Sequence, residues 1–176
     1  RLLKLIEDIM HLSKLDEGFA AGCQRSVDLL EAARAAVEEN AEAAAERNVT
    51  VRLTGENVSI NADPTLLDEM LRNVIENGVK YNRLNGEVQV EVSRLADGVT
   101  DTGIGIPPEH LDKVFERFYR VDGSRSKQTG GTGLGLSIVK HGAEYHHARI
   151  ELDSEVGRGT VMTLTFPLST DEEHGA

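Results

Sequence analysis

The 176-residue chain has a single cysteine, Cys23. That excludes a disulfide framework and a cysteine-based zinc site, and it suits a reducing compartment. The chain also lacks any run of about eighteen apolar residues and any signal peptide, so no helical membrane span is expected. Positive charge is scarce, with 19 Lys and Arg against 30 Asp and Glu and a net charge of -11. Nucleic-acid affinity comes mostly from neutralising phosphates with Lys and Arg, so general nucleic-acid binding is not expected and any phosphate ligand must be held locally. No internal repeat occurs and no methionine opens the chain; Arg1 lies inside a helical pattern, which we read as a fragment of a longer protein. What is present, 39% apolar and 28% charged residues, is the balance of a globular chain with one good core plus an appendage.

Leu2, Leu5, Ile6, Ile9, Leu12 and Leu15 recur at three- and four-residue steps, one narrow apolar stripe on a helix that ends near Gly18 and suits a bundle partner. Gly18 to Gly22 reads as a linker, and Ser26 is placed to cap a helix running through Ala45. Strands are predicted at Val49 to Leu53 and Val58 to Ile60, followed by a helix from Pro64 to Tyr81, announced by Asp63 as cap and Pro64 at the first helical position. A strand from Glu87 to Leu95, a turn at Ala96-Asp97-Gly98 and a loop from Asp101 to Pro108 come next. Short helices are expected around Leu111 to Tyr119, then a helix from Leu134 to Tyr145 and strands at Arg149 to Asp153 and Thr160 to Leu168.

Three segments carry chemistry. Thr129 to His141 reads TGGTGLGLSIVKH, with four glycines between 130 and 135 directly before a helix, where backbone can approach a phosphate closely. It is neither a Walker A loop, since no lysine follows Gly135, nor a dinucleotide fingerprint, since Leu136, Ser137 and Ile138 follow the glycines. On the helix LLDEMLRNVIENGVKYN, Leu67, Met70, Leu71, Val74 and Gly78 share an apolar side. Asn73, Asn77 and Lys80 fall within roughly 60° of one another on the next side. Asparagine weakens a helix, so two of them one turn apart imply a task for their side chains. Finally, DTGIGIPPEH sets a carboxylate, Asp101, before a Gly103/Gly105 turn.

Taken in order, NVIENGVKYN, DTGIG, FERFYRVD, GGTGLGLSIVKH and SEVGRGT resemble the N, first glycine, F, second glycine and last glycine boxes of bacterial sensor histidine kinases. These kinases belong to the gyrase, heat-shock-chaperone and MutL class of ATPases. The resemblance covers about Arg1 to Leu168 and implies a two-layer α/β sandwich, a mixed sheet covered by helices, of the Bergerat type. It implies these units: residues 1–18 as the end of the second dimerisation helix, 19–25 as linker, 26–168 as catalytic ATP-binding domain and 169–176 as polar tail.

The implied activity is donation of the ATP γ-phosphoryl group to a histidine on a separate dimerisation domain, for relay to a response regulator. By the same resemblance Asn73 and Asn77 match magnesium ligands, Lys80 a phosphate contact, Tyr81 a ring against the base and Asp101 the acceptor of the adenine amino proton. Glu76 is a candidate polariser of the accepting histidine, and Gly103 and Gly105 leave room beside the base. Gly131, Thr132, Gly133, Leu134 and Gly135 belong to a phosphate-binding lid hinge, while Arg125 and Lys127 lie in the lid itself. The full-length protein is expected to be a homodimer, cytoplasmic and anchored in the inner membrane.

The chain departs from that pattern in three places. None of its six histidines has the acceptor context His-Glu-x-Arg-Thr-Pro: His11 reads as an interface residue, and the adjacent pair His146-His147 is unsuited to a metal site. The hairpin before Asp101 is about four to six residues short, roughly one strand, which either displaces Asp101 or leaves an intact pocket. Gly78 stands where the family usually has alanine, costing about 1 kcal/mol of helix stability. Two alternatives follow, a non-kinase ATPase of the same class and a regulatory module with impaired nucleotide binding.

Overall fold

A computed structural model describes residues 6, 24–94, 97–121 and 131–168. The predicted dimerisation helix (apart from Ile6), the Gly18 to Gly22 linker, Arg125, Lys127 and the tail at 169–176 lie outside the described residues. The elements run β1 (Arg25–Asp28), α1 (Leu29–Glu39), α2 (Ala41–Glu46), β2 (Thr50–Gly55), β3 (Ser59–Ala62), α3 (Pro64–Lys80), β4 (Glu87–Val92), β5 (Asp97–Asp101), α4 (Gly135–Tyr145), β6 (Arg149–Glu155) and β7 (Gly159–Thr165). The main sheet has the order β2-β4-β5-β7-β6, parallel between β2 and β4 and antiparallel elsewhere. β1 and β3 form a separate antiparallel pair.

Alternation in the strands decides which face is covered. Val88, Val90 and Val92 of β4 and Met162 and Leu164 of β7 are buried beneath the helices, whereas Gln89, Glu91 and Thr100 are exposed on the opposite side. Leu67, Met70 and Ile75 of α3 and Ile138 and Val139 of α4 complete the layer between helices and sheet. This is the two-layer sandwich expected from the sequence.

Several local expectations are corrected. Ser26 does not cap a helix; it pairs with Asn61 in the β1-β3 ladder. Asp28 is the cap, its Oδ1 accepting from the N–H groups of Leu30 and Glu31 at 2.9 and 3.3 Å. The helix predicted through Ala45 breaks at Asn40, whose buried amide donates back to Ala36 O at 2.8 Å, so that α1 and α2 are separate. Asp63 caps α3 as expected, accepting from Thr65 and Leu66 N–H. Beyond the 3-10 turn at Pro108–His110, residues 111 to 118 form turns instead of helices.

The short hairpin is a complete one. Asp97 and Gly98, assigned to a turn by sequence, are already in β5. All five residues of β5 pair with β7, and Gly98 to Asp101 pair with β4 as well. The shortening therefore trims the strand without removing it, and Asp101 stays at the end of a central strand.

Candidate functional site

α3 carries the first wall of the site. With Leu67, Met70, Leu71 and Val74 turned into the core, the helical repeat brings Asn73, Asn77 and Lys80 to the edge of a cleft of about 350 Å³. Asn73 donates from Nδ2 to Glu69 O at 2.8 Å, which leaves its amide oxygen as the outward end. Asn77 lines the cleft, and its side-chain amide has no hydrogen bond with another described residue. Lys80 Nζ lies 5.3 Å from the centroid of the Tyr81 ring, and Tyr81, the residue that ends the helix, is 37% exposed. Glu76 also lines the cleft.

The floor is apolar, formed by Val99, Met162, Leu152 and Ile106, with Asp101 set into it. Burial pushes the Asp101 carboxyl above its usual value, against the opposing pull of N–H groups from Gly103 and Thr160. The Gly103 N–H donates to its Oδ1 at 2.7 Å. Gly103 thus sits behind the carboxylate and does not line the cleft, whereas Gly105 does.

The opposite wall has little regular structure. Gly131, Thr132, Gly133 and Gly135 line it; Leu134 does not, because its side chain is fully buried at the start of α4. Gly133 has φ of +76°, and a Cβ there would lie 2.9 Å from the Phe118 backbone, whose N–H donates to Gly133 O at 2.9 Å. A side chain on Gly131 would run into Lys80 Nζ, and one on Gly135 would come within 2.7 Å of Asn73 Oδ1. At these two positions the loop backbone packs directly against Lys80 and Asn73, with no room for a side chain between.

Sequence reading missed three contributors. Asn82, 8% exposed, donates to Gly78 O and Glu87 O at 3.0 Å each and accepts from Arg83 N–H and Thr102 Oγ1, welding the end of α3 to β4 beside Asp101. Arg120 lines the cleft and donates to Gly131 O, while neighbouring Tyr119 meets His110 Nδ1 at 2.5 Å. Arg47 reaches the cleft from the end of α2. Scarcity of cations was the available signal for the two arginines, since each basic residue in so acidic a chain stands out.

A carboxylate set in an apolar floor, amide oxygens and an ammonium on one helix, and a glycine loop opposite make a cleft suited to a ligand with a flat apolar part and an anionic part. Comparison with known proteins agrees. Residues 62–170 match the family described as histidine kinase-, DNA gyrase B-, and HSP90-like ATPase, and the chain belongs to that family. It is 34% identical over 173 residues to the sensor protein kinase WalK of Staphylococcus haemolyticus, covering 95% of this chain but 28% of WalK. Among solved structures it resembles the mycobacterial sensor histidine kinase MprB (26% identity, TM-score 0.69, 82% of this chain and 97% of that one). It also resembles full-length ShkA in complex with AMPPNP (26% identity, TM-score 0.80, 96% of this chain and 36% of that one). The domain is of the histidine-kinase ATP-binding type, and nothing in these likenesses favours the alternatives. The chain spans well under half the length of WalK, and among its described residues no helix is long and apolar enough to cross a membrane.

Proposed function

We propose that the chain binds magnesium-ATP and donates its γ-phosphoryl group to a histidine supplied by a separate dimerisation domain, from which a response regulator receives it. The observation that carries this reading is the pairing, within one cleft, of a half-buried hydrogen-bond acceptor with a cationic and amide-bearing helix face. Asp101 accepts the exocyclic amino group of adenine, and the apolar floor takes the ring. Tyr81 flanks the base, while Lys80 and Arg120 hold phosphate oxygens, with the glycine backbone closing over them. Arg125 and Lys127, outside the described residues, are candidates for the terminal phosphates by composition.

The residues fit the group they are asked to hold. Asn73 and Asn77 offer neutral oxygen donors suited to a hard cation that phosphates also ligate, beside Lys80 and a glycine loop whose backbone packs against both Lys80 and Asn73. Magnesium, when bound, offsets the charge on the phosphate oxygens during transfer. The side chains themselves position and stabilise, without forming a covalent intermediate. Glu76, at the cleft edge, orients or polarises the incoming histidine. In the whole protein the dimerisation helices form a homodimer, and membrane anchoring lies outside this segment.

The test is transfer of labelled phosphate from ATP. The chain alone is expected to bind magnesium-ATP without becoming labelled, and a supplied dimerisation fragment carrying the acceptor is expected to gain acid-labile, base-stable phosphate. Label on the chain itself, or none on the fragment despite tight ATP binding, would overturn the kinase reading.

A further inference from the structure

We propose that Arg47 is an additional nucleotide-binding residue, engaging the phosphate chain from a corner of the fold that contributes none of the sequence boxes. The inference rests on the ATP-binding reading of the cleft. Three observations carry it.

First, the backbone aims Arg47 outward. Arg47 ends α2, Asn48 adopts a left-handed φ of 51°, and Val49 N–H returns to Ala44 O at 2.9 Å, so the chain reverses within three residues. Val49 is buried by that reversal, while Arg47 is left exposed and lines the cleft. Second, the corner is tied to the catalytic helix end. Thr50 N–H donates to Gly86 O at 3.0 Å, so the α2-β2 corner lies alongside the turn that follows Tyr81 and Asn82, both of them cleft residues. Third, the guanidinium is uncommitted. Arg34, Arg52, Arg72, Arg149 and Arg158 are each matched with a glutamate, whereas no ion pair among the described residues holds Arg25, Arg47 or Arg83, and of these three Arg47 is the one that lines the cleft.

A planar cation with several donors, without an ion pair among the described residues and lining the cleft of a chain of net charge -11, is matched chemically to phosphate oxygens. Its exposure makes the contribution modest and dependent on salt.

Calorimetric titration of ATP, ADP and adenosine into wild type, Arg47→Gln and Arg47→Lys distinguishes the possibilities. Arg47→Gln is expected to weaken ATP and ADP by about three- to tenfold at low salt, with Arg47→Lys intermediate, adenosine unchanged and the ATP deficit shrinking at high salt. Adenosine binding doubles as the control for an intact cleft. Unchanged ATP and ADP affinity, or an equal loss for adenosine, would overturn the role of Arg47. Wild-type protein that binds no ATP would instead remove the proposed function on which it rests, so the two failures are separable.

Discussion

The two walls of the cleft are built on different principles. The α3-β5 wall presents side chains from regular elements: Asn73, Asn77 and Lys80 at helical spacing, and Asp101 at a strand end held by pairing on both sides. The facing wall, at residues 118 to 120 and 131 to 134, lacks regular structure and is joined by contacts such as Phe118 N–H to Gly133 O and Arg120 to Gly131 O. A group that must discriminate one base from another needs fixed geometry, and packed elements supply it. A surface that closes on phosphate needs backbone N–H groups and little bulk, which glycine-rich irregular chain supplies. Side-chain substitutions are therefore expected to matter most on the first wall and backbone restriction most on the second.

The largest effect is expected from Asn77→Ala, which removes an amide oxygen that has no hydrogen bond with another described residue to blur the reading. Phosphoryl transfer to a supplied acceptor fragment should fall by about a hundredfold or more, equivalent to roughly 2.7 kcal/mol, with melting temperature little changed. Labelling that persists would remove the proposed magnesium role.

Asp101 comes next. Asp101→Ala should weaken ATP by about ten- to a hundredfold, the worth of a charged hydrogen bond of roughly 1.5 to 3 kcal/mol, and erase preference for ATP over GTP. A change below about threefold would mean that the carboxylate does not read the base. Stability of the free protein should move the other way. Because burial raises the folded-state pKa of Asp101, its contribution is favourable below the unfolded value of 3.8 and is lost as pH rises through the folded value. Asp101→Asn, which keeps an acceptor for Gly103 N–H, should accordingly melt higher than wild type at pH 7, with the gain vanishing towards pH 3.8. Melting curves at both pH values check the sign.

On the irregular wall, Gly133→Val meets a positive φ and the Phe118 backbone at 2.9 Å at once. ATP affinity should drop about tenfold while adenosine binding, read by the other wall, changes little. Equal losses for both ligands would break the division of labour between the walls.

A smaller effect concerns the joint between α3 and α4. His146, 2% exposed, accepts from Asp63 N–H at 3.0 Å through Nε2 and bonds Gly142 O at 2.7 Å through Nδ1, the pattern of a neutral ring. Burial lowers its pKa most strongly, with His147 adding to the lowering, against the opposing Gly142 bond and Asp63 charge. Its stabilising contribution is present above pH 6.5 and is lost as pH falls from 6.5 through the lowered folded value. Denaturant midpoints should decline over that interval in wild type and decline less in His146→Gln.

The smallest change is expected at Gly78, where alanine would gain about 1 kcal/mol of helix propensity. The new methyl would lie 3.3 Å from both Val88 methyl carbons, so crowding offsets the gain and the net shift should stay within about 0.5 kcal/mol. Relieving the crowding with Val88→Ala in the same chain should expose the gain as a coupling between the two sites.

Legibility followed locality. α3 could be read because its cap, its first-turn proline and its apolar period lie within eighteen residues of sequence, and its polar stripe came with it. The hairpin was harder: with Ala96-Asp97-Gly98 read as a turn, only Val99 and Thr100 remain before Asp101, too few for a central strand until Asp97 and Gly98 are seen to pair as part of it. Asn82 gave no sign of its four hydrogen bonds, because their partners are brought together only when α3, β4 and the Thr102 turn meet. The turns at 111 to 118 read as helices because their apolar spacing is compatible with either form; at their end Phe118 N–H bonds the glycine loop at Gly133 O.

What the sequence determined by itself was the identity and order of the chemical groups: amides and ammonium at helical spacing, a carboxylate before a glycine turn, and a glycine loop before a helix. Periodicity and backbone sterics act over a few residues, so they are written locally. Tertiary structure alone decided that Asp101 is half-buried, that Leu134 belongs to the core, and that Arg120 and Arg47 stand at the cleft. Burial and convergence depend on which distant segments exclude water from one another, and no single stretch of chain encodes that.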